Sequence, residues 1–243
     1  MNGPPTLLDW TGNLWDGFQV TVLVTVLGAL LMFALSLVLG LMSRSEHIAV
    51  RGVARVVIEF FRGTSLLIQL FWLFFALPLL GIRLDPLFAG VLALGLNYGA
   101  YGAEVVRGSI NAVPGPQWEA AVALNLSRWQ RMRRVIWPQA VALMIPAMNN
   151  LFIQLLKSSP LLYAITVVDL LNRGEAFRFA GGNVAAIYIT LLVIYFVLAY
   201  FFTFLFGVAE IRAKARLGQH EGLGSALRQL VGSRSLEHEG ARR

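Results

Sequence analysis

Five stretches free of Asp, Glu, Lys and Arg dominate the chain: Gly17–Ser43, Gly63–Ile82, Pro86–Ala103, Val135–Leu156 and Phe179–Ala209. Each has at least 18 residues, and about 20 cross the hydrocarbon core of a bilayer as a helix. The pattern therefore predicts an all-α integral membrane protein with about five transmembrane helices. A sixth apolar run, Ser158–Val168, has only 11 uncharged residues and opens on Ser-Ser-Pro, which favours a short re-entrant or interfacial outer segment. The boundaries that follow are an extracytoplasmic N-terminus over 1–17, one transmembrane domain over 18–209 containing a cytoplasmic loop at 109–138, and a basic tail over 210–243.

Within these runs, small and weakly polar residues mark where helices meet. Span one, Phe18–Met42, carries Gly28, Gly40, Thr21, Thr25 and Ser36, which permit close helix approach. Pro78, Gly81 and Pro86 bound a short outer turn after span two.

Composition agrees with the pattern. The chain is 57% hydrophobic and 14% charged, with a mean hydropathy of +0.68, outside the range of soluble domains. Its net charge of +7 does not form a nucleic-acid-binding face, because the arginines cluster at span ends. With the N-terminus outside, Arg44, Arg51 and Arg55, the five from Arg107 to Arg134 and the seven from Arg212 onward lie inside. Arg83, Lys157, Arg173 and Arg178 lie outside. That asymmetry is the positive-inside rule. No Lys or Arg precedes Arg44 and no cleavage site follows a short apolar run, so no removable signal peptide is expected.

The polar loop between spans three and four has its own design. Pro114 and Pro116 suit a helix start, and Glu119 lies near it, where a carboxylate complements the helix dipole. Asn125 falls where a left-handed residue closes a helix. Ser127 suits the cap of a second helix over Arg128–Ile136, ending before Pro138.

Glu119-Ala120-Ala121, then Asn125, Val135, Trp137 and Pro138, resemble the EAA loop of membrane subunits of bacterial ABC importers. That pattern has Gly, Ile and Leu where this chain has Asn125, Val135 and Trp137. The segments around Glu59–Leu70 and Asn97–Gly108 are similar to the polar amino-acid permease branch (histidine, glutamine and glutamate type). The wording EFFRGTSLLIQLFW, GAYGAEVVRGSI and ALNLSRWQRMRRVI is most similar to ectoine/hydroxyectoine permease subunits.

The resemblance implies a permease subunit importing a small zwitterionic solute, ectoine, hydroxyectoine or a polar amino acid, across the bacterial inner membrane. The N-terminus would lie outside and the C-terminus in the cytoplasm. It implies as partners two ATPase subunits, which bind ATP and Mg, a second permease subunit, identical or homologous, an extracytoplasmic solute-binding protein and lipid. Glu119, Ala120, Ala121, Asn125, Arg128 and Arg131 would couple to the ATPase. No GxxxxGK[ST] phosphate loop occurs in the chain, so ATP hydrolysis falls to a partner, and no cofactor is expected here.

Helical spacing groups polar side chains into stripes: Arg62, Ser65 and Gln69; Asn97, Tyr101 and Glu104; Asn150, Gln154, Lys157 and Ser158. With Tyr98, they form a candidate solute path or gate, since ionisable groups at membrane depth face a bundle interior and pair. Glu59 with Arg62 and Glu104 with Arg107 are each three apart and suit ion pairs. Lys157 and Asp169 are placed at the outer face, as a gate or a contact for the binding protein.

Other chemistry finds no support. The chain has no Cys, no GxSxG and no HExxH, so neither catalytic residues nor a metal site are expected. A stand-alone transporter or channel is the competing reading, and it leaves the EAA-like loop without a purpose.

Overall fold

The structure, a computed structural model, describes residues 5–216. Among these residues it is helical without strands: α1 (Thr11–Met42), α2 (Ile48–Gly63), α3 (Leu66–Phe71), α4 (Pro86–Asn111), α5 (Gly115–Ala123), α6 (Arg128–Arg131), α7 (Trp137–Ser158), α8 (Leu170–Phe179) and α9 (Val184–Arg216). A π-turn at 72–76 and a 3₁₀ turn at 77–80 prolong α3, and Gly81, at φ 86°, ends that run. The chain forms two compact units. Unit one holds the described residues up to Gly108 together with Asn150–Ala199, and unit two holds Ser109–Asn149 and those from Tyr200 on.

Three helices are long and apolar enough to cross a membrane: Thr11–Met42, the continuous run Arg128–Ile165 and Val184–Ala213. The pair Ile48–Gly63 and Leu66–Leu80, bent by 102°, makes a fourth if counted as one span. α4 is 26 residues long but lies outside this group. Its glycines at 90, 95, 99, 102 and 108, with Asn97 and Glu104, dilute its hydropathy. Large apolar side chains such as Leu30, Ile189, Leu192 and Phe196 are exposed, as a hydrocarbon-facing surface requires.

Unit one is built on close helix contacts. α1 buries Gly17, Thr21, Thr25, Gly28, Met32, Ser36 and Gly40 along one side. A Cβ on Gly40 would fall 2.7 Å from Val106 Cβ and 2.9 Å from the Ala103 carbonyl oxygen. Gly95 and Gly99 on α4 are crowded in the same way by Leu31 and Leu35. Ser36 Oγ donates to the Met32 carbonyl within its helix at 2.6 Å and reaches the Gly99 carbonyl across it at 3.3 Å. Leu39, Ile58 and Ala103 form a small core joining α1, α2 and α4. A second core joins Leu14, Leu170, Phe177, Ile187 and Leu191.

The first helix starts at Thr11, ahead of the span expected from Phe18, and Trp10 anchors it: its Nε1 donates to the Arg173 carbonyl at 3.1 Å. The second helix of the loop does not stop before Pro138. It passes through a π-turn, Met132–Ile136, into α7, and the turn's wider spacing absorbs a proline that lacks an N–H. Ser159–Ile165 follows α7 directly as 3₁₀ turns that end at Thr166, at φ 65°.

Arg62, Ser65 and Gln69 do not share a helical face, contrary to the expectation from helical spacing. The helix breaks at Thr64 and Ser65, both extended, so Arg62 ends α2 while Gln69 sits on α3. Thr64 Oγ1 donates back to the Phe60 carbonyl at 2.8 Å, the kind of side-chain bond that competes with helix continuation.

Candidate functional site

A helix that ends within an apolar bundle leaves its last carbonyls without partners, and such backbone is tolerated only where protein or a water-filled cavity satisfies it. At the α2 break, side chains supply the donors. Gln69 Nε2 donates to the Phe61 carbonyl at 2.9 Å and lies 2.7 Å from Thr64 Oγ1. Asn97 Nδ2, from α4, donates to the same Phe61 carbonyl at 2.9 Å and lies 3.3 Å from Gln69 Oε1. Tyr101 Oη donates to the Arg62 carbonyl at 3.2 Å. Gln69 and Asn97 are both buried.

Charge gathers at the same place. The Arg62 guanidinium lies 5.5 Å from the centre of the Tyr101 ring and 3.5 Å from Glu59, while its buried Nε has no hydrogen-bond partner among the described residues. Glu104 pairs with Arg107 and feels Arg62 and Arg55 as well. Beside the break lies a cavity of about 260 Å³ walled by Phe60, Phe61, Trp72 and Leu73, with Thr64 and Gln69 as its polar members.

Of the residues proposed for a solute path, the structure brings together Arg62, Gln69, Asn97 and Tyr101, with Glu104 in electrostatic range of Arg62. Tyr98 belongs to a neighbouring contact, its Oη 3.2 Å from the Gln154 carbonyl and 2.6 Å from Ser158 Oγ. Gln154 takes part through its backbone, and its side chain, like that of Lys157, is exposed. Thr64 and the aromatic walls Phe60, Phe61 and Trp72 were not among the sequence candidates. The available signal was Gly63-Thr64-Ser65, a helix-breaking trio inside an apolar run.

Unit two contains the arginine-rich loop. α5 has proline in its first turn and closes in a Schellman arrangement: Asn125 N–H donates to the Val122 carbonyl at 2.8 Å and Leu126 N–H to Ala121 at 3.2 Å. Asn125 takes the left-handed conformation, φ 53°. Ser127 then caps α6 with a reciprocal capping box to Gln130. Ala121 is buried, while Glu119, Ala120, Asn125 and Arg128 are exposed and Arg131 is partly so. Val122, Leu124 and Trp129 are exposed apolar residues nearby, and Trp129, Gln130, Arg133 and Arg134 line a surface recess.

Residues 32–214 match the family described as binding-protein-dependent transport system inner membrane component. The chain is 43% identical over 208 residues to a probable amino-acid ABC transporter permease of Sinorhizobium fredii, y4tF, covering 83% of this chain and 87% of that one. It is 31% identical to the glutamine transport system permease GlnP of Escherichia coli, covering 85% and 98%. Among solved structures, a crystal structure of an amino acid ABC transporter with histidines superposes with a TM-score of 0.80 at 33% identity, covering 85% of this chain and 96% of that chain.

Proposed function

The chain belongs to the family of inner-membrane components of binding-protein-dependent transport systems, and from that premise we propose how it works and what it carries. As a permease subunit it is not an enzyme, and a separate ATPase subunit hydrolyses ATP. It carries a small zwitterionic solute, a polar amino acid or a compatible solute of the ectoine type, from an extracytoplasmic binding protein into the cytoplasm. Two ATPases and a second permease, identical or homologous, complete the assembly. The chain crosses the membrane five times, counting the bent α2–α3 pair and α4, with its N-terminus outside.

The observation that carries this reading is the α2 break. Its carbonyls are satisfied by Asn97, Gln69 and Tyr101, and Arg62 lies beside them. A broken helix with a charged group near an aromatic-walled cavity provides donors and acceptors for a solute carrying both signs. Its apolar walls suit the body of such a molecule. The amino-acid relatives support the solute class, and the three quoted segments support ectoine within it.

Coupling runs through α5 and α6. ATP binding closes the ATPase dimer, the docked helices follow, and the bundle shifts toward the outward state. Glu119, Ala120 and Ala121 support the docking turn, Asn125 sets its angle, and Arg128 and Arg131 face the partner. Co-purification tests this. The wild-type permease brings an ATPase subunit with it, and Glu119→Arg loses that association while the permease itself still purifies in the membrane fraction. An ATPase retained equally by both proteins contradicts the docking assignment.

A further inference from the structure

A second polar cluster lies in unit one under the start of α8, and the transport reading does not use it. Asp169 caps α8, its Oδ1 accepting from the Asn172 N–H at 2.9 Å. The adjoining Leu170 N–H donates to Thr21 Oγ1 on α1 at 3.0 Å. Gly17 permits this approach, since a Cβ there would meet the Asp169 carbonyl oxygen at 2.8 Å. The sequence placed Asp169 on the outer face as a gate or partner contact, whereas it is 1% exposed. Its second oxygen, Oδ2, has no hydrogen-bond partner among the described residues.

Hydroxyls lie near this acid without bonding its second oxygen. Tyr195 on α9 lies within electrostatic range of Asp169 and beside Ser159 and Thr21, and its own Oη also lacks a partner. Thr25, one turn along α1, is buried with an unpartnered Oγ1. Among the charged groups on the neighbouring elements, Arg173 reaches Asp16 at 3.8 Å and Asn13 at 3.5 Å while its buried Nε has no hydrogen-bond partner among the described residues, and Glu175 binds Arg178 and Tyr188. Lys157 is exposed. No arginine or lysine among the described residues pairs with Asp169.

A carboxylate buried without a cation is costly, and it relieves that cost by taking up a proton. We propose that Asp169 is a proton-binding site: the proton resides on Oδ2, points into the Tyr195–Thr21–Ser159 hydroxyl cluster, and holds α8 against α1 and α9. Burial pushes this carboxyl up to about 7, above the ordinary range near 3.9. A folded-state value raised in this way gives stability that is fully present below the unfolded value and lost as pH rises through the folded one. Proton loss at neutral to alkaline pH therefore loosens α8.

The test uses the full-length chain in lipid nanodiscs. Infrared difference spectra across a titration from about pH 5 to about pH 9 are expected to show a protonated-carboxyl C=O band disappearing near neutrality. That band is absent in Asp169→Asn. Asn retains an oxygen for the Asn172 N–H and ranks with Asp as a cap, so this variant folds. The apparent Tm of the wild type falls by several degrees between about pH 5 and about pH 8, while Asp169→Asn stays level at the wild type's acid value. Identical pH curves for the two proteins, or a band that titrates in the ordinary carboxyl range, overturn the proposal. Sodium-specific stabilisation at alkaline pH that Asp169→Asn abolishes also overturns it, by placing a cation in the cluster.

Discussion

Asn97 Nδ2 donates to the Phe61 carbonyl at 2.9 Å, tying the middle of α4 to the last turn of α2. That carbonyl has no continuing helix to accept from, because Thr64 and Ser65 are extended. One side chain therefore fixes both the break and the neighbouring polar wall. Asn97→Leu leaves the Phe61 carbonyl to Gln69 alone and leaves the buried Gln69 Oε1 without its donor. The expected cost is about 1–3 kcal/mol, typical of a buried polar group losing a partner. A Tm lowered accordingly, with uptake reduced more than about tenfold while the ATPase remains bound, is the predicted signature. Unchanged uptake would remove Asn97 from the solute path.

Gly40 and Gly52 make a matched pair. A side chain on Gly40 would strike Val106 and the Ala103 backbone, whereas Gly52, in α2, has open space. Gly40→Val is expected to destabilise the bundle by about 1–3 kcal/mol through overpacking. Gly52→Ala is expected to be neutral or to gain about 0.5–1 kcal/mol from helix propensity. Chemical unfolding of the two variants in mild detergent checks the contrast.

Much of the fold was legible in the sequence because charge is expensive in hydrocarbon, so uncharged runs trace apolar helices. The turn at Asn125 and the cap at Ser127 were equally readable, since each depends on the chemistry of one residue. The α2–α3 break was not. Within Glu59–Leu70 the only signal was the trio Gly63-Thr64-Ser65, and the extended backbone of Thr64 and Ser65 shows that the helix stops there. Helical spacing carried across that break wrongly put Arg62 and Gln69 on one face. The tertiary contacts with Asn97 and Tyr101 restored their proximity by another route. Pro138 misled in the same way, because the helix runs on past it from a π-turn at Met132–Ile136. Asp169 was read from its place between spans, yet the sequence Val-Val-Asp-Leu-Leu already held the signal of a helix cap set among apolar residues.

The loop geometry yields a prediction distinct from docking chemistry. Asn125→Gly keeps the left-handed conformation and is expected to preserve coupling, with stability within about 1 kcal/mol of wild type. Asn125→Val forces a β-branched residue to positive φ and is expected to cost more than about 1 kcal/mol. The ratio of solute transported to ATP hydrolysed in proteoliposomes separates them: near the wild-type value for Gly and depressed for Val. Equal ratios would show that the turn's angle does not matter to coupling.

The proposed permease joins a liganded binding protein outside to an ATPase inside, and ATPase activity of the purified assembly in lipid reads that link, measured with a panel of binding proteins, each with and without ectoine, arginine, histidine or glutamate. Stimulation by one binding protein in its liganded form is the predicted result, and it identifies the solute. An assembly without an ATPase, or one whose activity responds to none of the liganded binding proteins, would contradict the account and favour an autonomous transporter.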